Sequence, residues 1–101
     1  MSAYAVFELT FVDDATADDL VAYERYRSEV VSLIAAHGGR YLARAWGVTA
    51  LEGLPAGDRC HLVEFPDAES ARAFWSDPEY LALTPLRSGA VEVRAILIER
   101  N

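Results

Sequence analysis

The residues that we select as candidate proton carriers lie far apart along the chain. They are two carboxylates and one histidine, namely Glu52, Glu64 and His37. Such groups act as general acids or bases when burial or a neighbouring charge brings their pKa towards the working pH. A second set has the chemistry to hold an anionic or aromatic ligand, and it comprises Arg44, Trp46, Tyr80 and Arg87. The sequence therefore contains the parts of a small-molecule site.

Motifs that indicate a bound metal, a phosphate or an activated nucleophile are missing from the sequence. The glycines occur singly or as Gly38-Gly39, so there is no phosphate-binding glycine loop. His37 and His61 have no metal-ligand spacing to a nearby carboxylate, and no serine lies in a nucleophile elbow. Cys60 and His61 are neighbours on a predicted strand, where consecutive side chains point to opposite faces. We therefore predict no metal and no bound organic cofactor.

Several of the candidate residues also have a purely structural interpretation. His37 falls in the last turn of a predicted helix, where a cation complements the helix dipole. Glu52 either ends a strand or serves as a general base at a cavity mouth. Arg87 either clamps an anionic substrate or ties its connecting loop to acids of the first helix, such as Asp18, or to a carbonyl. His61 shares its side of a strand with core residues, which favours a position against the helices over a catalytic role.

The length and composition favour one globular domain and exclude several partner classes. The 101 residues fit a single domain, which we expect to span 1–101. The net charge of −7 argues against a nucleic-acid partner and against docking on an anionic membrane, because both need a basic surface. No apolar stretch approaches the ~20 residues of a membrane span. We see no export signal, so a soluble, cytoplasmic protein is expected.

Hydrophobic periodicity predicts elements in the order β-α-β-β-α-β. The predicted strands cover 4–12, 40–52, 59–65 and 91–99, and the helices cover 16–37 and 68–75, with a short helical turn at 78–83. A bend or bulge is expected near Gly47, and a hairpin turn at 53–57. This order is typical of the ferredoxin-like α+β fold, with a four-stranded antiparallel sheet and two helices on one face.

The opposite face of the predicted sheet has no helix to cover it. The alternation of side chains assigns to this open face a mixture of apolar and charged residues: Tyr4, Val6, Glu8, Thr10, Arg40, Leu42, Arg44, Trp46, Cys60, Leu62, Glu64, Glu92, Arg94, Ile96 and Ile98. Such a face is too apolar to be freely solvated and too charged for a dry core. We expect a homodimer that encloses a partly polar cavity. The charges are then either structural ion pairs or substrate-binding groups.

Five segments spread over nearly the whole chain carry a family resemblance. They are Gly38-Gly39-Arg40-Tyr41-Leu42, Glu52-Gly53, Glu64-Phe65-Pro66, the run from Ala71 to Tyr80, and Leu86-Arg87-Ser88-Gly89-Ala90. Together they resemble the DUF1330 family of the dimeric α/β-barrel superfamily. The chain departs from that pattern in a longer first loop and first helix, and in Trp75, where the family usually has tyrosine.

The resemblance implies a homodimer whose two sheets face each other, but it implies no particular reaction. The superfamily includes cofactor-independent monooxygenases, muconolactone-isomerase-like proteins and polyketide-tailoring enzymes. By this analogy we expect a metal- and cofactor-independent isomerase, cyclase or monooxygenase that acts on an aromatic or polyketide-like small molecule. Its site is expected in a cavity between the open sheet face and the loop carrying Tyr80 and Arg87. The alternative is a non-catalytic, ligand-binding or accessory homodimer.

Overall fold

The four strands of the chain form one antiparallel sheet, and the helices cover one of its faces. The structure, a computed structural model, describes residues 1–54 and 57–100. Its elements are β1 (Ala3–Phe11), α1 (Ala17–Ala36), β2 (Arg40–Ala45), β3 (Arg59–Phe65), α2 (Ala68–Ser76), α3 (Pro78–Leu83), α4 (Pro85–Ser88) and β4 (Val91–Glu99). The strand order is β2-β3-β1-β4. The predicted ferredoxin-like α+β fold is therefore confirmed.

The helices begin where the sequence supplies capping side chains. Thr16 and Asp19 form the predicted capping box of α1, and Asp67 caps α2 by accepting a hydrogen bond from the amide of Ser70. Asp77 caps α3, with Pro78 at its first position. One detail of the prediction is wrong: Arg87 lies in the short helix α4 and not in a connecting loop, because Pro85 begins another helical turn after Thr84.

The core lies between the helices and one side of the sheet. Its largest fully buried side chains come from both layers and are Tyr23, Tyr80, Phe65, Phe74 and Val63. Alternate residues of β4 are exposed on the other side, as predicted, and Ile96 and Ile98 are among them. None of the helices in the described part of the chain has the length and apolar character to cross a membrane.

Strand β2 differs from its prediction in length and in the position of its irregularity. It ends at Ala45, because Ala45 pairs with Cys60 and β3 begins only one residue before Cys60. The register shifts between Tyr41 and Ala43, so the bulge lies at Leu42 and not near Gly47. The predicted turn at 53–57 includes Pro55 and Ala56, which lie outside the described residues.

Gly38 ends helix α1 in the left-handed region, as its position after the helix predicts. Its φ is +80°, and a Cβ atom built there would lie 2.8 Å from Cγ of Pro66. Side chains rarely adopt this φ, and the neighbouring proline ring is rigid. The turn into β2 therefore depends on glycine at this position.

We expect Gly38→Ala to lower the free energy of unfolding by at least ~1 kcal/mol, because it adds both φ strain and a steric clash. Urea denaturation measures the change. The matched control is Gly47→Ala, since nothing lies within 4 Å of a Cβ atom there, and its effect should stay within about 0.5 kcal/mol. Equal stability of the two variants would contradict the assigned role of Gly38.

Candidate functional site

A small polar cavity lies between α1 and the helix-facing side of the sheet. Its volume is about 30 Å³. The polar side chains that line it are Tyr23, Tyr26 and Arg27 of α1, Tyr41 and Arg44 of β2, and His61 of β3. The three residues of α1 fall at positions i, i+3 and i+4, which share one face of a helix. The two strands bring their residues to the same place because β2 and β3 are paired.

His61 lies at the centre of a row of side chains that crosses the sheet. It pairs with Arg44 on one side and with Phe7 on the other. Phe7 in turn pairs with Ala95 of β4. Directly paired residues of antiparallel strands point to the same face. The row therefore runs from Arg44 on β2 to Ala95 on β4. All of its side chains lie on the side of the sheet that the helices cover.

The imidazole of His61 is neutral at neutral pH. Burial is the main cause that lowers the pKa of His61 from 6.5 to about 4, and the charges of Arg44, Arg27 and Arg59 contribute to the same shift. Its Nδ1 atom is buried and has no hydrogen-bond partner within the described residues. A neutral imidazole has one nitrogen that can accept a proton. His61 is therefore the proton acceptor available inside this cavity.

Three arginines around His61 stack on aromatic rings. The guanidinium carbon of Arg59 lies 3.7 Å from the ring centroid of Trp46, and its Nη1 donates a 3.1 Å hydrogen bond to the hydroxyl of Tyr23. Arg44 lies 4.6 Å from the centroid of Tyr41. Arg27 lies 5.6 Å from the Trp46 ring. Rings and phenols stabilise these cations without cancelling their charge.

Only one of these three arginines has a carboxylate partner within the described residues. Nη1 of Arg27 lies 3.0 Å from Glu24 at the surface, whereas its Nε is buried and unpaired in that part of the chain. The residues that line the cavity include no carboxylate. The cavity is thus locally cationic in a chain of net charge −7. This arrangement suits an anionic oxygen atom.

A pair of tyrosine hydroxyls joins α1 to α3 beside this cavity. The hydroxyl oxygens of Tyr26 and Tyr80 lie 3.1 Å apart. Burial, reinforced by Tyr80, raises the pKa of Tyr26 well above its ordinary value. The phenol of Tyr26 therefore stays protonated at neutral pH and can donate a hydrogen bond. The guanidinium carbon of Arg87 lies 5.7 Å from the Tyr26 ring, so Arg87 is directed at this pair.

A larger groove lies beside the polar cavity, between α2 and strands β1 and β4. Its volume is about 300 Å³. Phe7 and Phe74 line both the groove and the cavity, so the two spaces adjoin at these two rings. The remaining lining is mainly apolar and includes Ala71, Trp75 and Ala95. Trp75 stacks on Phe7 with 6.1 Å between ring centroids.

The three proton carriers predicted from the sequence lie apart from this cavity and from each other. Glu52 is exposed in the segment after β2. Glu64 lies on the open face, where the hydrogen bond from Arg40, 2.9 Å long, lowers the pKa of its carboxyl group. His37 ends α1, and its Nε2 lies 2.8 Å from Oδ2 of Asp77, which caps α3. That contact ties two helix ends together.

The four predicted binding residues do come together, but on the opposite side of the sheet from the one expected. The bulge at Leu42 turns the rest of β2 over, so assigning Arg44 and Trp46 to the open face is wrong. Arg44 pairs with His61, and Trp46 lies against Arg59. Tyr80 and Arg87 lie on this same side, near Tyr26.

Sequence reasoning gave little weight to three residues that line the cavity, namely Tyr26, Arg27 and His61, and to Arg59. The alternation of β3 did place His61 on the same side as Phe65, and this position is confirmed by the burial of Val63 and Phe65. The spacing of Tyr23, Tyr26 and Arg27 was a usable signal for α1. Within residues 1–54 and 57–100, no group of three or more His, Cys, Asp or Glu side chains has the arrangement of a metal site.

Comparison with known proteins gives a family match and several similar folds. A family model described as "Domain of unknown function (DUF1330)" matches residues 2–101. No curated protein gives a significant match. A protein of unknown function from Rhodopseudomonas palustris has a TM-score of 0.76 at 18% identity, with 99% of this chain and 82% of that chain covered.

Two further solved structures share the fold. A dimeric, ferredoxin-like protein of unknown function from Bacteroides fragilis is 15% identical, with a TM-score of 0.65 over 98% of this chain and 96% of that chain. SnoaB, a cofactor-independent oxygenase from Streptomyces nogalater, is 12% identical, with a TM-score of 0.61 over 99% of this chain and 93% of that chain. At these identities the likeness establishes the fold alone.

We expect His61 to make the protein less stable as the pH falls from 6.5 to 4. Its pKa is 6.5 in the unfolded chain and about 4 in the fold, so the unfolded chain binds more protons in this window. The stabilisation is complete above pH 6.5 and is lost as the pH approaches 4. We expect the free energy of unfolding to change by about 1–3 kcal/mol over this pH range. Partial exposure of His61 to water lowers the value within that range.

Urea denaturation between pH 7.5 and 4 measures this effect. His61→Gln should remove the part of the stability loss that His61 causes. The free energies of unfolding of the variant and the wild type should therefore approach each other towards pH 4. The control is His37→Gln, which removes the other histidine, at a site outside the cavity, and should keep the His61-dependent decline. A His61→Gln curve parallel to that of the wild type would contradict burial of a neutral imidazole.

Proposed function

This chain belongs to the DUF1330 family, whose name assigns no reaction, and we propose that it is a small-molecule enzyme that needs no metal or organic cofactor. The proposed reaction is the isomerisation, cyclisation or monooxygenation of an aromatic or polyketide-like substrate. The supporting observation is a neutral imidazole, His61, surrounded by Arg27, Arg44 and Arg59 in a ring-lined cavity. A proton acceptor beside cations is the arrangement required to form an enolate or phenolate.

The chemistry begins with transfer of one proton from an acidic C–H or O–H group of the substrate to His61. The bonding electron pair stays on the substrate and is delocalised onto its oxygen. The guanidinium groups of Arg27 and Arg44 stabilise that oxyanion, since both line the cavity. The resulting enolate is common to the three reactions, because it can be reprotonated elsewhere, attack a carbonyl group or react with O₂.

Binding of an anion also improves His61 as a base. The positive charges of Arg44, Arg27 and Arg59 are among the causes of its low pKa. A substrate oxyanion beside the ring offsets these charges and raises the pKa of His61 towards its ordinary value. His61 is therefore a weak base in the free protein and a stronger one as the enolate forms. We assign proton transfer to it, and not to Glu52, Glu64 or His37, because those three lie away from the cavity.

The four predicted binding residues have different roles in this proposal. Arg44 contacts the oxyanion, and Trp46 provides an apolar wall beside Arg59. Tyr80 holds Tyr26 through the pair of hydroxyls, and Arg87 approaches the Tyr26 ring from α4. Arg44 is therefore the residue of these four that lines the cavity, and the other three contact residues around it.

A second candidate function, a non-catalytic ligand-binding homodimer, is favoured by the same low pKa of His61. A base with a pKa of about 4 is weak at neutral pH. In this alternative the arginines bind an anionic ligand, and His61 remains neutral without accepting a proton. The two functions differ in one measurable property, the exchange of a substrate C–H proton with solvent.

We expect the protein to accelerate deuterium exchange at the acidic C–H positions of 2-tetralone, an aromatic ketone, in D₂O. Proton NMR follows the exchange against the rate without protein. His61→Gln should abolish the acceleration, and Arg44→Met should reduce it at least tenfold, because an oxyanion-stabilising contact contributes roughly that much or more. The control is Arg40→Met, on the same strand but paired with Glu64 on the opposite face.

Exchange no faster than the uncatalysed rate would contradict the enzymatic proposal. If 2-tetralone or benzoate still binds in an Arg44-dependent manner, the ligand-binding alternative is then favoured. Equal loss of exchange in Arg44→Met and Arg40→Met would contradict the location of the site.

The proposal also includes a homodimer formed through the open sheet face. Similar folds from Bacteroides fragilis and Thermobifida fusca are described as dimeric. In this chain the open face exposes Leu42, Ile96 and Ile98. Apolar residues grouped in this way are typical of a surface that binds a partner.

We expect a dimer at micromolar concentration by light scattering, and we expect Ile98→Glu to shift it to the monomer. The added carboxylate would have to lose its water in the interface. The matched control is Leu81→Glu on α3, since Leu81 is 52% exposed and Ile98 is 47% exposed. A wild-type monomer, or dissociation by Leu81→Glu alone, would contradict association through the sheet.

A further inference from the structure

The polar cavity is far too small to hold an organic substrate by itself. Its volume of about 30 Å³ matches roughly one water molecule. Sites that bind small organic molecules usually measure about 300–1,000 Å³. Only one oxygen-bearing group of a substrate therefore fits beside His61. The rest of the molecule must occupy a neighbouring space.

The groove beneath α2 is the space that adjoins this cavity. Its volume of about 300 Å³ reaches the lower limit of ligand-binding pockets. Phe7 and Phe74 are common to both spaces. The row Arg44, His61, Phe7 and Ala95 runs straight from the cavity into the groove. His61 and Ala95 are two strand spacings apart, or roughly 10 Å.

The chemistry of the groove differs from that of the cavity. Aromatic rings and methyl groups form most of it, with Trp75 stacked on Phe7 and with Ala71 and Ala95 on opposite walls. Its one charged lining residue, Arg72, forms an ion pair with Glu99. The groove therefore suits a flat, apolar group and has no unpaired charge of its own to bind an anion.

We propose that the site takes an elongated amphipathic ligand, with an anionic oxygen beside His61 and a flat apolar body in the groove. This inference rests on the proposed function, because the anionic end is the oxygen on which the enolate forms. The distance between His61 and Ala95 corresponds to about three fused aromatic rings. Phe7 and Phe74 hold the middle of the ligand, and Ala95 leaves space for its far end.

The test uses three aromatic carboxylates of increasing length as probes: benzoate, naphthalene-2-carboxylate and anthracene-2-carboxylate. Calorimetry should find the three-ring acid bound at least tenfold more tightly than benzoate, because added rings bury apolar area in the groove. Ala95→Leu fills the end of the groove. It should weaken the three-ring acid at least tenfold and change benzoate affinity less than twofold.

The matched control is Ala73→Leu, which adds the same side chain on the exposed side of α2. It should leave all three affinities unchanged, and circular dichroism verifies that both variants are folded. Equal affinities for one and three rings would overturn the groove proposal, and so would an Ala95→Leu variant that binds the three-ring acid normally.

Failure of the groove proposal can be distinguished from failure of the proposed function. If benzoate binds and depends on Arg44 while ring number has no effect, only the groove proposal is overturned. If anthracene-2-methanol binds as tightly as anthracene-2-carboxylate, the anionic end is wrongly assigned, and both proposals fail in that respect. If none of the carboxylates binds, both proposals are overturned.

Discussion

The stacking of arginine side chains on aromatic rings is the interaction on which the candidate site depends. Arg59 is only 7% exposed, and its partners are Trp46, Phe11 and the hydroxyl of Tyr23. A buried guanidinium group beside a carboxylate would be neutralised, and a neighbouring histidine would then be less affected by its charge. Aromatic partners stabilise the cation and leave its field intact. The anion preference of the cavity follows from this choice of partner, and the same charges add to burial, the main cause, in lowering the pKa of His61.

A single extra residue in β2 decides which side chains join that cluster. Side chains alternate along a strand, so a bulge at Leu42 moves every later residue of β2 to the other face. Without it, Arg44 would lie on the open face, and His61 would lose the cation with which it is paired across the strands. The sequence offers no local signal for this bulge, because Leu42 is an ordinary strand residue. The more obvious candidate was Gly47, which lies beyond the end of the strand.

The fold was far more predictable from the sequence than the site, for physical reasons. Helix starts follow from short-range capping by Thr16, Asp67 and Asp77, and the end of α1 follows from the φ of Gly38. The site instead combines α1, β2 and β3. Periodicity indicated that His61 faces the helices, but its pKa depends on burial and on three arginines, both of which result from tertiary packing. The sequence analysis chose the carboxylates Glu52 and Glu64 as candidate proton carriers, whereas none of the residues that line the cavity is Asp or Glu.

Charged residues have different roles on the two faces of the sheet. On the open face, Glu8 pairs with Arg94 and Glu64 with Arg40, in each case with the cross-strand neighbour. These carboxylates are matched within one chain, so association through this face would not leave an isolated buried charge. The cavity and groove lie on the helix side of the sheet. A dimer formed through the open faces would therefore place its interface on the side of the sheet opposite to the cavity and groove.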